Sequence, residues 1–246
     1  MMRIAVVGGT GAAGRRVVDE VRRVGHEPVV LSRADGVDLL TGAGLDAALA
    51  GAEAVVDVSN PANWRSLEEV ERFFTEGTGH LLASAARAGV RHLVVLSIVG
   101  SDVVDLDYYL GKRRQEALVA AGPVPWTVLR ATQFFEFAWQ VLAGATGPVA
   151  QVPPMLSQPV STADVAARLV ELAVGEPQGL ALPIAGPERI RVVDMARRVV
   201  ARRGDAVRVE EAAEGPAGLS TGALCPAGEY TEGRETFAEY LETVGP

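Results

Sequence analysis

The sequence predicts an α/β fold: a doubly wound, mainly parallel sheet, with a small carboxyl-terminal lobe on the substrate side. Three observations carry this. Short apolar runs alternate with helical segments over about residues 1–143. The first run ends in a glycine-dense turn that opens a helix. The 246 residues, 48% of them hydrophobic, suffice for one sizeable core, so a single domain is expected over residues 1–246. Its cofactor-binding part should cover about 1–143, and about 144–246 should supply the lobe and the last strands and helices.

Ile4 to Val7 reads as a buried parallel strand, because sheets covered on both faces make continuous apolar runs. From Ala12 the pattern is helical, with Val17, Val18, Val21 and Val24 sharing a side. Val29 to Leu31 is the second strand, Gly42 to Ala50 a short helix and Ala54 to Val58 the third strand. Asn63 to Ala88 is a long helical region, with Gly77 and Gly79 marking a bend. His92 to Leu96 is the fourth strand, Tyr108 to Ala121 a helix and Trp126 to Leu129 the fifth strand. From Gly144 prolines interrupt the chain. A helix over Thr162 to Val174, entered through a capping-like Ser161-Thr162-Ala163-Asp164, leads to a strand near Leu180 to Ile184. A helix over Val192 to Arg203, a strand near Val207 to Val209 and a helix near Glu232 to Thr243 complete the chain.

In such a sheet ligands sit past the carboxyl ends of the strands. Here those ends carry Gly8, Ser32-Arg33, Ser59-Asn60, Ser97 and Arg130 to Phe134. The glycines are spaced Gly8-x-x-Gly11-x-x-Gly14, unlike the G-x-G-x-x-G fingerprint. Gly8 allows a tight turn, Gly11 lets a pyrophosphate approach the backbone, and Gly14 lets helix and strand pack closely. The helix start at Ala12 and Ala13 offers N–H groups and a positive dipole end to phosphates. The lack of Gly-Lys-Ser/Thr argues against an NTP-hydrolysing loop. At the second strand's end, Ser32 and Arg33 suit a 2′-phosphate, where a carboxylate would suit a ribose hydroxyl, so NADP(H) is favoured over NAD(H). Arg15 or Arg16 can add a second positive contact, and Asp38 and Leu39 can border an adenine.

Tyr108 and Lys112 lie four apart on one helix face. A nearby ammonium is expected to lower the phenol pKa, Ser97 to hydrogen-bond a carbonyl oxygen, and the phenol to supply a proton while a nicotinamide delivers hydride. Tyr109 shares much of the Lys112 face, which leaves open which tyrosine is the acid. Phe134, Phe135 and Met155 are further candidates to line an apolar substrate pocket beside Ser97 and Tyr109, and Met155 and Leu156 to form a lid. Asp102, Asp105 and Asp107 read as an acidic gate or as helix capping and solvation, with capping favoured. No histidine or acidic cluster has metal-ligand spacing, so no metal is expected.

The net charge of −8, with no basic block, disfavours nucleic acid and anionic membranes as partners. The single Cys225 excludes an internal disulfide and suits a reducing cytoplasm. No apolar run reaches membrane-spanning length. The early apolar run serves better as a strand than as a signal peptide.

The glycine pattern and Tyr108-x-x-x-Lys112 resemble the short-chain dehydrogenase/reductase superfamily. Leu96 to Gly100, Tyr108 to Lys112 with Glu116, Pro125 to Phe134 and Asp164-Val165-Ala166 are similar to its atypical, NmrA-like NAD(P)-binding branch. The resemblance implies a Rossmann-type fold binding NADP(H). It places Gly8, Thr10, Gly11, Gly14, Arg33, Ser59, Lys112 and the backbone around Ala131, Thr132, Gln133 and Phe134 near the cofactor, with Asn60 beside Ser59. The branch holds reductases, isomerases and redox-sensing binders. Main-line members also carry an asparagine on the helix before Ser97, and Thr75 to Gly89 offers none. The expected function is therefore NADP(H)-dependent reduction of a small, largely apolar carbonyl or conjugated carbonyl compound. The alternatives are a non-catalytic NADP(H) sensor and an epimerase or isomerase using bound cofactor. A monomer or homodimer is expected.

Overall fold

The computed structural model describes residues 1–63, 66–144 and 147–244. In chain order the elements are β1 (Arg3–Val7), α1 (Ala12–Arg23), β2 (Glu27–Leu31), α2 (Leu45–Leu49), β3 (Ala54–Asp57) and α3 (Leu67–Arg72). A π-helical turn (Phe73–Gly77) joins α3 to α4 (Thr78–Arg87). Then come β4 (His92–Ile98), α5 (Asp107–Ala121), β5 (Trp126–Ala131), α6 (Phe137–Ala143), β6 (Val149–Val152), β7 (Leu156–Ser157) and α7 (Thr162–Val174). The chain continues through β8 (Gly179–Leu180), β9 (Ile184–Ala185), β10 (Ile190–Arg191), α8 (Val192–Arg203), β11 (Arg208–Glu211), β12 (Thr231–Glu232) and α9 (Phe237–Thr243).

The chain divides into two compact units, residues 1–130 with 165–182, and residues 131–164 with 183–246. In the first, the strands run in the order β2-β1-β3-β4-β5. β1 pairs in parallel with β2 and β3, and β3 with β4, while β8 adds in parallel to β5. This is the expected α/β fold with its parallel sheet. The apolar strands follow from burial on both faces. Ala5, Val7, Val55, Leu93 and Val95 form one face, covered by Leu45 and Leu49 of α2, Leu81 and Ala85 of α4 and Val119 of α5. Ile4 and Val6 are also fully buried, and α1, whose Val17, Val18 and Val21 are buried, packs on β1 and β2.

In the second unit Ala131 pairs with Ile184 of β9, and β9 runs parallel to β12. β6 pairs in parallel with β11, and β7 antiparallel with β10. Phe135, Trp139, Phe237 and Tyr240 form an aromatic cluster, with Phe135 5.5 Å from Phe237 and 5.0 Å from Tyr240. α9 is opened by a capping box between Thr236 and Glu239.

Several boundaries differ from the sequence reading. The short helix expected from Gly42 spans only Leu45–Leu49, because Gly42 and Gly44 take φ of +74°. The strand expected near Leu180 to Ile184 is two two-residue pieces. The last helix starts at Phe237, since Thr231–Glu232 is spent as β12. The long helical region expected from Asn63 includes Trp64 and Arg65, which lie outside the described residues. From Ser66, which caps α3 by accepting from the Glu69 N–H, it is helical, and the π turn replaces the bend expected at Gly77 and Gly79.

Candidate active site

The glycine corner is built as three separate close approaches. Gly8 ends β1 with φ +77°, and a Cβ there would lie 2.9 Å from the Ser59 backbone. The Gly11 N–H donates to the Gly8 carbonyl at 2.9 Å and closes the turn. Gly14 sits so near that a Cβ would lie 2.1 Å from the Gly8 oxygen. Gly11 is the N-cap of α1; no side chain caps this helix, and its first turn holds no acid. The N–H groups of Ala12, Ala13 and Gly14 are thus left uncapped, and this corner fits the diphosphate of a dinucleotide. The exposed Thr10 gives its carbonyl to the Arg15 guanidinium.

At the end of β2, the Ser32 hydroxyl donates to the Asp35 carboxylate at 2.6 Å, and the exposed Arg33 opens a 3₁₀ turn. Asp38 accepts from the Leu40 N–H at 2.8 Å, and the Leu39 carbonyl meets His80 Nδ1 at 2.8 Å.

Asp57, at the end of β3, is only 2% exposed. It accepts from the N–H and hydroxyl of Ser59 at 2.9 and 2.6 Å and from the Gln115 amide at 3.0 Å. Beyond it, Asn60 Oδ1 accepts from the Tyr108 hydroxyl at 2.8 Å. Tyr108 and Lys112 both stand on α5, against the fully buried Phe74 of the π turn. The Tyr108 and Phe74 ring centroids are 5.8 Å apart, and the Lys112 ammonium lies 4.5 Å from the Phe74 centroid. Lys112 is buried and donates to the Leu96 carbonyl and to Gln115 Oε1, each at 2.9 Å. Burial lowers its pKa to about 8, against the opposing pull of Asp57 and Glu116. Tyr109 is buried and meets Tyr108 edge-on at 6.1 Å.

Two expectations change here. The Tyr108 phenol is not drawn down by Lys112: burial and the neighbouring Tyr109 raise its pKa, while the ammonium is turned to Leu96 and Gln115. The Ser97 hydroxyl donates to Glu116 Oε1 at 2.5 Å, so a bond from it to a substrate oxygen would have to give up that contact. Glu116 also accepts from Ser101 at 3.2 Å and from two nitrogens of Arg130 at 3.0 and 2.7 Å. Arg130 reaches Asp102 at 2.8 Å, and Arg113 pairs with Asp105 at 3.1 Å. Two of the three loop acids are therefore ion-paired, and Asp107 begins α5.

In the second unit Ala131, Thr132 and Gln133 are buried. The Thr132 N–H donates to the Ile184 carbonyl and its hydroxyl to the Gln158 carbonyl, Gln133 Oε1 accepts from Ser157, and Phe134 bridges to Val160. Phe135 is taken up by the aromatic cluster. Met155 is 4% exposed, its carbonyl accepts from Val192, and Leu156 is paired in β7, which ties the expected lid into a small sheet. Cys225 is buried, and burial raises its pKa. Among the described residues no acid, His or Cys group has the makings of a metal site, and no helix is long and apolar enough to cross a membrane.

Sequence reasoning passed over Asp57 and Gln115. The signals were an acid closing an apolar strand and a glutamine one helical turn beyond Lys112.

A family model described as NAD(P)H-binding matches residues 8–175. The chain is similar to the (4-alkanoyl-5-oxo-2,5-dihydrofuran-3-yl)methyl phosphate reductase of Streptomyces griseus, 32% identical over 234 residues, covering 85% of this chain and 76% of that protein. It is also similar to the ceramide reductase of Caulobacter vibrioides, 29% identical over 188 residues, covering 68% of this chain and 59% of that protein. Among solved structures, UDP-N-acetylglucosamine 4-epimerase from Bacillus cereus superposes with a TM-score of 0.72 at 17% identity, covering 98% of this chain and 95% of that one. An NADPH-dependent quinone oxidoreductase from Escherichia coli gives 0.70 at 16% identity, covering 97% and 98%. At such identities the two structures speak for the fold alone. With an uncapped glycine corner at the head of a parallel sheet, a family-model match over most of the chain and reductase relatives, this chain belongs to the NAD(P)H-binding family.

Proposed function

We propose that this protein is an NADP(H)-dependent reductase of a small, largely apolar carbonyl or conjugated carbonyl compound, with Tyr108 as its proton donor. The observation that carries the reading is the Tyr108 hydroxyl at the head of α5, hydrogen-bonded to Asn60 one helical turn from Lys112. When bound, the nicotinamide supplies the hydride. The chain's own residues do the rest. The Tyr108 phenol is protonated at neutral pH, the state a proton donor in reduction needs, and burial makes it a weaker acid than a free tyrosine. The Tyr108 proton rests on Asn60 Oδ1, a contact that gives way when it is donated to a substrate oxygen. Lys112 spends two of its three N–H bonds on Leu96 and Gln115, which leaves one for a ribose hydroxyl. Ala12, Ala13 and Gly14 supply N–H groups to the diphosphate, and Ser59 and Asn60 border the same strand ends. The exposed Arg33 supports NADP(H), while the Ser32 hydroxyl is held by Asp35, and Asp38 and Leu39 flank the adenine side. Within the first unit, Ser97 and Tyr109 are the substrate-side candidates. The buried single thiol suits a cytoplasmic setting.

The test is NADPH oxidation over a panel of aldehydes, ketones, enones and quinones. Turnover that survives intact in Tyr108→Phe removes the acid role. The Ser97–Glu116 bond favours a second reading, an NADP(H) sensor without turnover. That reading predicts tight cofactor binding, no substrate in the panel, and a partner retained with only one redox form.

A further inference from the structure

Lys112 is the single lysine of the sequence; the other 22 of its 23 Lys and Arg residues are arginines. It is also buried, among groups that fit an ammonium in only one way. The Gln115 amide donates through Nε2 to Asp57 Oδ2 at 3.0 Å and accepts through Oε1 from Lys112 at 2.9 Å. Only this amide orientation serves a carboxylate on one side and an ammonium on the other. Asp57 receives donors on both oxygens, a setting for the ionised form even though burial pushes its pKa up. The Leu96 carbonyl takes a second ammonium proton, and the Phe74 ring covers the cation. Phe74 and Gly111 are packed without slack: a Cβ at Gly111 would lie 2.5 Å from Val70 and 2.7 Å from Phe74. Extra π-helical residues recur at functional sites, and here one such turn brings a single ring against both Lys112 and Tyr108.

We propose that Asp57 and Gln115 are positioning residues, which together fix the charged ammonium of Lys112 against the end of β4 and thereby set the head of α5 that carries Tyr108. The charged groups facing Lys112 are Asp57 from β3 and Glu116 from α5; β4 gives a carbonyl and the π turn a ring. An isolated buried ammonium would lose its proton, and an isolated buried carboxylate would take one up. The bridging amide lets each keep the other charged. The catalytic consequence rests on the reductase reading; the electrostatic part does not.

A single lysine makes the test direct. Protein labelled with ¹³C-lysine gives one side-chain Cε signal, whose titration reads Lys112 without cofactor or substrate. The expected midpoint is about 8 in the wild type. In Asp57→Asn it falls by about one pH unit or more, a roughly tenfold loss of proton affinity. In Gln115→Leu, which keeps both charges, it falls as well. An unchanged midpoint in the folded Asp57→Asn protein overturns the proposal, and if that variant does not fold, an unchanged midpoint in Gln115→Leu does so. The second arm is the pH profile of kcat/KM. Its alkaline limb is expected to track the NMR midpoint in each variant, with kcat changing more than the KM for NADPH. A limb that stays in place while the midpoint moves overturns the positioning role. If no protein turns over yet the midpoint moves, the reductase reading falls and the Asp57–Gln115–Lys112 arrangement stands.

Discussion

Replacing Gly14 by alanine sets a methyl carbon 2.1 Å from the Gly8 carbonyl oxygen and 2.7 Å from the Gly9 Cα. Neither is the end of a flexible side chain, so relief requires α1 to move away from the end of β1 by roughly 1 Å, as close-packed interiors do not absorb such an overlap. Overpacking of this kind costs about 2–3 kcal/mol. For a chain of this length each kcal/mol shifts Tm by ~2–4 °C, so Gly14→Ala should melt about 5–10 °C below wild type. Moving α1 also moves the N–H groups that would hold the diphosphate, and NADPH affinity should fall by ~100-fold or more. Gly11→Ala separates the two effects. Its Cβ meets only the Gly8 oxygen, at 3.3 Å, so Tm should change little while the methyl obstructs the nucleotide's approach. Gly79→Ala, in α4 with nothing within 4 Å of its Cβ, should raise stability by ~0.5–1 kcal/mol and leave binding alone. Thermal melts and fluorescence titration with NADPH suffice. A Gly14→Ala protein with wild-type Tm and wild-type affinity would refute both the close approach and the corner's place in nucleotide binding.

Tyr108→Phe should lower kcat by ~10²–10⁴-fold, and Tyr109→Phe by much less; equal losses from both would detach the proton from Tyr108. Arg33→Ala should weaken NADPH by roughly tenfold and leave NADH unchanged, as read by paired KM values; equal effects on both would remove Arg33 from the 2′-phosphate. Lys112 has a folded pKa of about 8 against 10.5 unfolded. The folded state therefore binds fewer protons between those values, and the Lys112 contribution to stability rises with pH from about 8 to about 10.5. Urea titrations of wild type and Lys112→Met should diverge in that direction, by up to ~3 kcal/mol, and parallel curves would contradict it. Lys112→Met alone should destabilise at neutral pH by ~3 kcal/mol by stranding Asp57, and adding Asp57→Asn should restore much of the loss.

The first unit was legible because its signals are redundant. Its strands are buried on both faces and read as unbroken apolar runs, and each corner glycine answers a different contact. The second unit was not, because strands of two residues such as Leu156–Ser157 and Ile190–Arg191 are too short to show a period. The crowded aromatics near Phe135 suggested a pocket, but their partners Phe237 and Tyr240 lie about a hundred residues away in sequence, out of reach of any local pattern. Spacing alone paired Tyr108 with Lys112 as candidates. Their partners Asn60, Asp57 and Phe74 come from other elements and meet them only through the sheet order and the π turn.

The burial of Lys112 also gives the molecule a built-in clock. A protease that cuts only after lysine finds one target peptide bond in this sequence, in the middle of α5 and out of its reach while that helix is seated. The rate of that one cut therefore reports how often α5 lifts from the sheet, and a dinucleotide that clamps the helix should slow it in proportion to occupancy.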